Sequence, residues 1–137
     1  MPTDRVESFA VPTANEVVGA RHLVRRCAIQ IGFSLVEQTK IVTAASELAR
    51  NMVDYGRGGV MHVDLLDDGS RKGLKLTFED KGPGIPDIQQ ALRDGFTSGS
   101  GMGLGLGGAK RLSNEFSIVS EPGQGTTITI VRWKGST

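Results

Sequence analysis

Two glycine-rich runs carry the residues of this sequence that are best placed to do chemistry. The first is Asp80-Lys81-Gly82-Pro83-Gly84-Ile85-Pro86, and the second is Gly101-Met102-Gly103-Leu104-Gly105-Leu106-Gly107-Gly108. In the second run glycine recurs at alternate positions and leads into the helix-like Ala109-Lys110-Arg111-Leu112. Glycine lets backbone amides approach a ligand closely, and amides at a helix start attract anions, so the pattern fits phosphate. Upstream, Glu47 and Asn51 stand at i, i+4 in a helix-like stretch and project from adjacent turns toward one side. Taken alone, such a pair is an ordinary surface pairing. Asp80 continues the alternation of Leu74, Leu76 and Phe78, so its carboxylate points to the buried face of a strand. A buried carboxylate needs hydrogen-bonding partners or a ligand. The competing role for Asp80 is a cap on the turn into Gly82.

These residues must be positioned by a small set of elements. Arg5 to Val11 is a candidate strand, with Val6, Phe9 and Val11 apolar. Thr13 and Glu16 have capping-box spacing, and Val17, Ala20, Val24, Cys27 or Ala28, and Ile31 then recur at helical period until Gly32. Arg21, Arg25 and Arg26 lie off that stripe, as a solvated face would. A second box, Ser34 with Glu37, starts another helix with Ile41, Ala45, Leu48 and Met52 inward, expected to run to about Asp54. Gly56 to Gly59 breaks it. Val60 to Leu66 and Leu74 to Asp80 form an expected antiparallel hairpin turned at Asp67-Asp68-Gly69-Ser70. Asp87 to Leu92 reads as one short helix, and Gly95 to Ser100 as a mobile stretch suited to a lid. The glycine run opens a helix expected to reach about Asn114. Glu115 to Ser120 and Thr126 to Trp133 are expected strands, turned at Pro122-Gly123-Gln124-Gly125.

The bulk numbers set the frame. A chain of 137 residues suits one domain with a proper core, and the expected boundary is the whole of 1–137. A formal net charge of +1 gives no electrostatic case for nucleic acid or a membrane surface as partner. Nineteen glycines exceed average usage, and their clustering between Gly95 and Gly108 points to a site and not to disorder. The single cysteine, Cys27, excludes an internal disulfide framework and a cysteine-built zinc site. With no leader-like start and no long apolar run, the expected compartment is the cytoplasm.

Familiar phosphate loops fail on detail. A Walker loop ends in Gly-Lys-Ser/Thr, whereas Gly108 is followed by Ala109-Lys110-Arg111. Gly103-Leu104-Gly105-Leu106-Gly107-Gly108 satisfies a dinucleotide fingerprint, but no strand precedes it and too little chain follows for a doubly wound sheet. The protein-kinase fold fails because the chain has no His-Arg-Asp or Asp-Phe-Gly element. The combination of a Glu/Asn helix, Asp-x-Gly-x-Gly at a strand end, a loose segment and a Gly-x-Gly-x-Gly helix start resembles the gyrase, heat-shock-chaperone, histidine-kinase and MutL ATPase superfamily. Glu47-Leu48-Ala49-Arg50-Asn51 looks like its asparagine box, Asp80-Lys81-Gly82-Pro83-Gly84 like its first glycine box and Gly101-Met102-Gly103-Leu104-Gly105 like its second. Within it the whole chain resembles the small serine/threonine kinases of bacterial stress-response partner switching, the RsbT family. That likeness is carried by Ser46 to Asn51, Glu79 to Ile88, Asp94-Gly95-Phe96, Lys110-Arg111-Leu112 and Glu115-Phe116-Ser117. The acceptor motif of histidine kinases is not matched around His22, and His62 falls in a strand; both histidines read as structural.

The resemblance implies an α/β fold of α+β two-layer type. It would have a mixed, mostly antiparallel sheet with helices on one face, the Bergerat-type ATP-binding arrangement. It implies ATP and Mg2+ as cofactors. Asp80 would take the adenine amino group, with Gly82, Gly84 and Ile85 beside the base and Asn51 on the metal. The amides of Gly101, Met102, Gly103, Leu104 and Gly105 would hold the phosphates, Thr126 would touch the nucleotide, and Glu47 would be the general base. The implied substrate is a serine or threonine on a STAS-domain antagonist or scaffold, and the implied downstream partner a PP2C-type phosphatase. The alternative is an anti-sigma factor that sequesters a sigma subunit.

Overall fold

The computed structural model describes residues 3–85, 88, 92 and 105–135, with residues 3–5 described by backbone alone. Its helices are α1 (Asn15–Gln30), α2 (Leu35–Gly56) and α3 (Gly105–Arg111). The strands are β1 (Thr3–Val11), β2 (Gly59–Asp67), β3 (Lys72–Asp80), β4 (Glu115–Glu121) and β5 (Gly125–Trp133).

Both capping boxes were legible as spacing, but only one forms. At α2 the Glu37 N–H donates to the Ser34 hydroxyl at 3.1 Å, and the Ser34 N–H donates to Glu37 Oε1 at 2.7 Å. At α1 the cap position is Ala14, with no side-chain bond. The Thr13 hydroxyl and N–H both donate to Glu16 Oε1, at 2.5 and 3.0 Å. The Glu16 N–H turns to the Thr13 carbonyl instead, at 3.1 Å. Gly32, with φ of +90°, makes the corner between the two helices. α2 continues past Asp54 to Gly56, where Arg57 takes a left-handed φ of 64° and the Gly58 N–H closes on the Met52 carbonyl at 2.9 Å.

The sheet has the order β1-β2-β3-β5-β4, and every pairing between described strands is antiparallel. β5 therefore lies between β3 and β4, and its first residues meet the last residues of β3. A register shift between Arg5 and Glu7 breaks the alternation of β1. Val6, one of the three apolar residues of the expected strand, lies at that shift and is exposed.

The helices cover one face of this sheet. Met61, Val63, Leu74, Leu76, Phe78, Ile128 and Ile130 pack there against Val17, Ala20, Val24, Cys27 and Ala28 of α1 and Ile41, Ala45, Leu48 and Met52 of α2. Each large side chain so buried contributes about 1.5–3 kcal/mol. Burial pushes the Cys27 thiol up, against the charge of Arg26, so the thiol stays protonated in the core. On the uncovered face, His62 lies between Ser8 (Oγ to Nδ1, 2.7 Å) and Glu79 (Nε2 to Oε1, 2.5 Å). Arg71 stacks on Trp133 at 3.9 Å. Arg71 also binds Asp68 (Nε to Oδ2, 3.0 Å), and with the amides of Ser70 and Arg71 it holds the Asp68 carboxyl well below the usual carboxylate range. No helix among the described residues is long and apolar enough to cross a membrane.

Candidate functional site

The candidate residues collect at one end of the covered sheet face. β3 ends there at Asp80, β5 begins there at Gly125, and the second half of α2 passes above. Asp80 and Thr126 are paired across β3 and β5, and Ser120 of β4 is paired with Thr126 on its other side. Asp80, Thr126 and Ser120 therefore make a polar row at the end of an otherwise apolar surface. Thr126 is buried, while Asp80 and Ser120 are half-buried.

Asp80 turns inward as its place in the alternation predicts, and it caps the turn into Gly82. Its carboxylate lies on the helix-covered side against Gly56, and its Oδ1 accepts from the Gly82 N–H at 2.9 Å. The turn after it is held from β4. The Ile85 N–H donates to Ser120 Oγ at 2.7 Å, and that hydroxyl lies 2.9 Å from Thr126 Oγ1. The Gly123 N–H donates to the Pro83 carbonyl at 2.9 Å. The glycines of this turn are needed by the protein's own packing. A Cβ on Gly82 would lie 2.7 Å from Gly56 Cα, and one on Gly84, whose φ is +84°, would lie 2.6 Å from the Glu121 carbonyl oxygen.

Glu47 and Asn51 are half-buried on α2, one turn apart. Glu47 reaches toward the glycine run: the Gly105 N–H donates to Glu47 Oε2 at 3.4 Å, a long bond. α3 is shorter than expected, ending at Arg111 and not near Asn114. The Ser113 hydroxyl takes up the Ala109 carbonyl at 2.8 Å, and Asn114 turns to β5, its Oδ1 accepting from the Trp133 N–H at 2.6 Å. Gly101, Met102, Gly103 and Leu104 lie outside the described residues, as does the stretch expected to form a lid. Of the short helix expected over Asp87 to Leu92, only Ile88 and Leu92 are described, and the Leu92 N–H donates to the Ile88 carbonyl at 3.0 Å.

Sequence reasoning missed Ser120 and Gly56. Ser120 carried a usable signal: it follows Phe116 and Ile118 in alternation just as Asp80 follows Leu76 and Phe78. Gly56 carried none beyond its being a glycine at a helix end. Among the described residues no cluster of three or more His, Cys, Asp or Glu stands ready to hold a metal ion. A divalent cation here would take most of its oxygen ligands from phosphate and water, as Mg2+ commonly does.

Comparison with known proteins gives the family. Residues 36–136 match the family described as histidine kinase-, DNA gyrase B- and HSP90-like ATPase. The chain is 46% identical over 123 residues to the serine/threonine-protein kinase RsbT of Bacillus subtilis (strain 168), covering 90% of this chain and 92% of that protein. It is 31% identical over 130 residues to the anti-sigma F factor of Geobacillus kaustophilus (strain HTA426), covering 88% of this chain and 85% of that one. In backbone it is similar to a chain in the crystal structure of the SiaB–SiaC complex from Pseudomonas aeruginosa. That match has a TM-score of 0.55 at 15% identity and covers 94% of this chain and 90% of the other, a likeness of fold alone. The chain thus belongs to the histidine kinase-, DNA gyrase B- and HSP90-like ATPase family. Within that family it is an RsbT-like serine/threonine-protein kinase.

Proposed function

We propose that this kinase transfers the terminal phosphoryl group of ATP to a serine or threonine of a STAS-domain antagonist or scaffold in a bacterial stress-response partner-switching module. Once released from that substrate, it activates a PP2C-type phosphatase. Residues 1–137 act as one unit, in the cytoplasm. The observation that carries the reading is the approach of Glu47 to the Gly105 amide, which sets a carboxylate beside the backbone expected to hold phosphate.

In this reading Asp80 accepts a hydrogen bond from the adenine amino group, and Gly82, Gly84 and Ile85 form the wall beside the base. Thr126 sits next to Asp80 across the strands and contacts the nucleotide from below. The amides of Gly101, Met102, Gly103, Leu104 and Gly105 receive the phosphates. Asn51, one turn from Glu47 on α2, would supply Mg2+ with an amide oxygen, a hard ligand of the kind that ion takes. The metal's contribution is to neutralise charge on the phosphates. Glu47 orients the acceptor hydroxyl and takes its proton as the new P–O bond forms and the bond to ADP breaks. Positioning contributes most to such transfers, and a base adds about 10²–10⁴-fold.

The test is incubation with labelled Mg-ATP and a cognate STAS protein, followed by mass spectrometry of the acceptor. Phosphoserine or phosphothreonine on the STAS protein is expected. Absence of transfer from an intact complex would refute the reading. A second reading, sequestration of a sigma subunit with kinase activity toward an anti-anti-sigma factor, is favoured by the likeness to anti-sigma F factors. Stable co-elution with sigma and not with a phosphatase would select it.

A further inference from the structure

The end of α2 meets the Asp80 turn through a residue with no side chain. Gly56 is buried, and an ideal Cβ built on it would lie 2.3 Å from Asp80 Cγ, 2.4 Å from Oδ2 and 2.7 Å from Asp80 Cβ. No carbon can approach so closely, because favourable contact between carbon atoms begins at about 3.5 Å. The turn approaches α2 from the other direction too, with a Cβ on Gly82 falling 2.7 Å from Gly56 Cα and 2.8 Å from its carbonyl oxygen. Gly56 is not among the residues with positive φ, so its backbone does not require glycine. What requires glycine is the space taken by the Asp80 carboxylate.

That carboxylate has little freedom to move aside. Oδ1 is tied to the Gly82 N–H at 2.9 Å, and its strand is paired to Thr126 on β5. Oδ2 is the oxygen that lies against the bare Cα of Gly56. A side chain at position 56 would therefore turn or displace Oδ2 and strain the Gly82 bond together.

We propose that Gly56 is a positioning residue that sets the Asp80 carboxylate and, through it, the selectivity of the pocket for adenine over guanine. The inference rests on the reading of Asp80 as the adenine anchor. An ionised carboxylate only accepts hydrogen bonds. Adenine presents an amino donor at the ring position where guanine presents a carbonyl oxygen, so a well-placed carboxylate binds the first and repels the second. Gly56 need not touch the base. It acts by leaving room.

The experiment measures ADP and GDP affinities by calorimetry for the full chain as wild type, Gly56→Ala and Asp80→Asn. Wild type is expected to prefer ADP. Gly56→Ala is expected to lose about ten- to a hundredfold in ADP affinity, the worth of one hydrogen bond to a charged group, with the ADP/GDP ratio falling by a similar factor. Equal weakening of both nucleotides, as general loosening would give, overturns the inference. A Gly56→Ala protein that keeps the preference overturns it while leaving the Asp80 reading intact. A wild type that binds no ADP removes both. Should Gly56→Ala not fold, amide spectra of the wild type decide. Adenosine is expected to shift the Gly56 and Gly82 resonances together while inorganic tripolyphosphate leaves them in place. A Gly56 signal that adenosine does not move overturns the proposal.

Discussion

Replacing Ser120 with alanine isolates the contact that ties the turn after Asp80 to the sheet. The Ser120 hydroxyl accepts from the Ile85 N–H at 2.7 Å, lies 2.9 Å from Thr126 Oγ1 and 3.4 Å from the Gly125 carbonyl oxygen. A hydroxyl has one hydrogen to give, so the Ile85 amide uses a lone pair while the hydrogen goes to Thr126 or Gly125. Ser120→Ala leaves that amide without its acceptor in a part-buried place. An unsatisfied buried donor costs about 1–3 kcal/mol, and partial access of water to this site selects the lower half, about 1–2 kcal/mol. For a chain of this length that is a fall in Tm of about 3–8 °C. Hydrogen exchange gives the local signature. Protection of the Ile85 amide should fall about 5- to 30-fold, while amides in the middle of α2 change less. Ser117, exposed on the opposite face of the same strand, is the control, and Ser117→Ala should stay within about 0.5 kcal/mol. Wild-type Tm together with wild-type exchange at Ile85 in the Ser120→Ala protein would refute this account of the turn.

Glu47→Ala should leave ATP binding largely intact and slow phosphoryl transfer by about two to four decades, measured in single-turnover assays with the STAS acceptor. Unchanged transfer would remove Glu47 from its role. Asp80→Asn should abolish nucleotide binding in a calorimetric titration, because an amide turned to keep the Gly82 bond presents its NH2 group to the base; normal ATP affinity would refute the adenine assignment. Glu37 gives a pH prediction. Burial pushes its carboxyl up, but the amides of Ser34 and Gly135, the Ser34 hydroxyl and the charge of Arg132 together carry it below its ordinary value of 4.5. A folded-state pKa below the unfolded one contributes stability that is present above pH 4.5 and lost as pH falls through the folded value. The Tm of the wild type should therefore drop on acidification below that pH, and Glu37→Gln should flatten this drop while lowering Tm at neutral pH.

Where local pattern and tertiary need coincide, the sequence was readable. The Ser34–Glu37 box, the Ile41, Ala45, Leu48, Met52 stripe and the alternation that turns Asp80 inward are all periodic signals with a physical cause, and each is realised. The insertion of β5 between β3 and β4 was not readable, because hairpin spacing pairs β4 with β5 but does not say which of the two lies against β3. That order is what makes Thr126 the neighbour of Asp80 and brings Ser120 into the row. The shift in the register of β1 between Arg5 and Glu7 was not readable either, because a bulge leaves no mark in composition. Arg132 also breaks the pattern. It follows Thr126, Ile128 and Ile130 on the covered face, and its guanidinium is buried there with Nη1 donating to the Leu112 carbonyl at 2.9 Å. Gly56 was read as a helix breaker, yet it belongs to the helix and is glycine because of a carboxylate from another strand. A close approach between distant segments has no period, so it becomes visible only in three dimensions.

The residues that the site draws from α2 also explain how its two ends stay in register. Glu47 meets the Gly105 amide, and nine residues later on the same helix Gly56 meets the Asp80 carboxylate. At 1.5 Å of rise per residue, the two contacts lie about 14 Å apart along one rigid axis. The Asp80 turn and the start of α3 are thus referred to a single helix, whose inward face from Ile41 to Met52 is locked into the core. α3 and the Asp80 turn come from separate parts of the chain, yet neither can shift without changing its distance to α2. In the function proposed above, a nucleotide anchored at Asp80 would therefore be presented to Glu47 at a spacing fixed by the helix. Perturbing either contact should alter one end of the nucleotide and spare the other. The opposite signatures expected for Gly56→Ala, in base selectivity, and for Glu47→Ala, in transfer rate, follow from that separation.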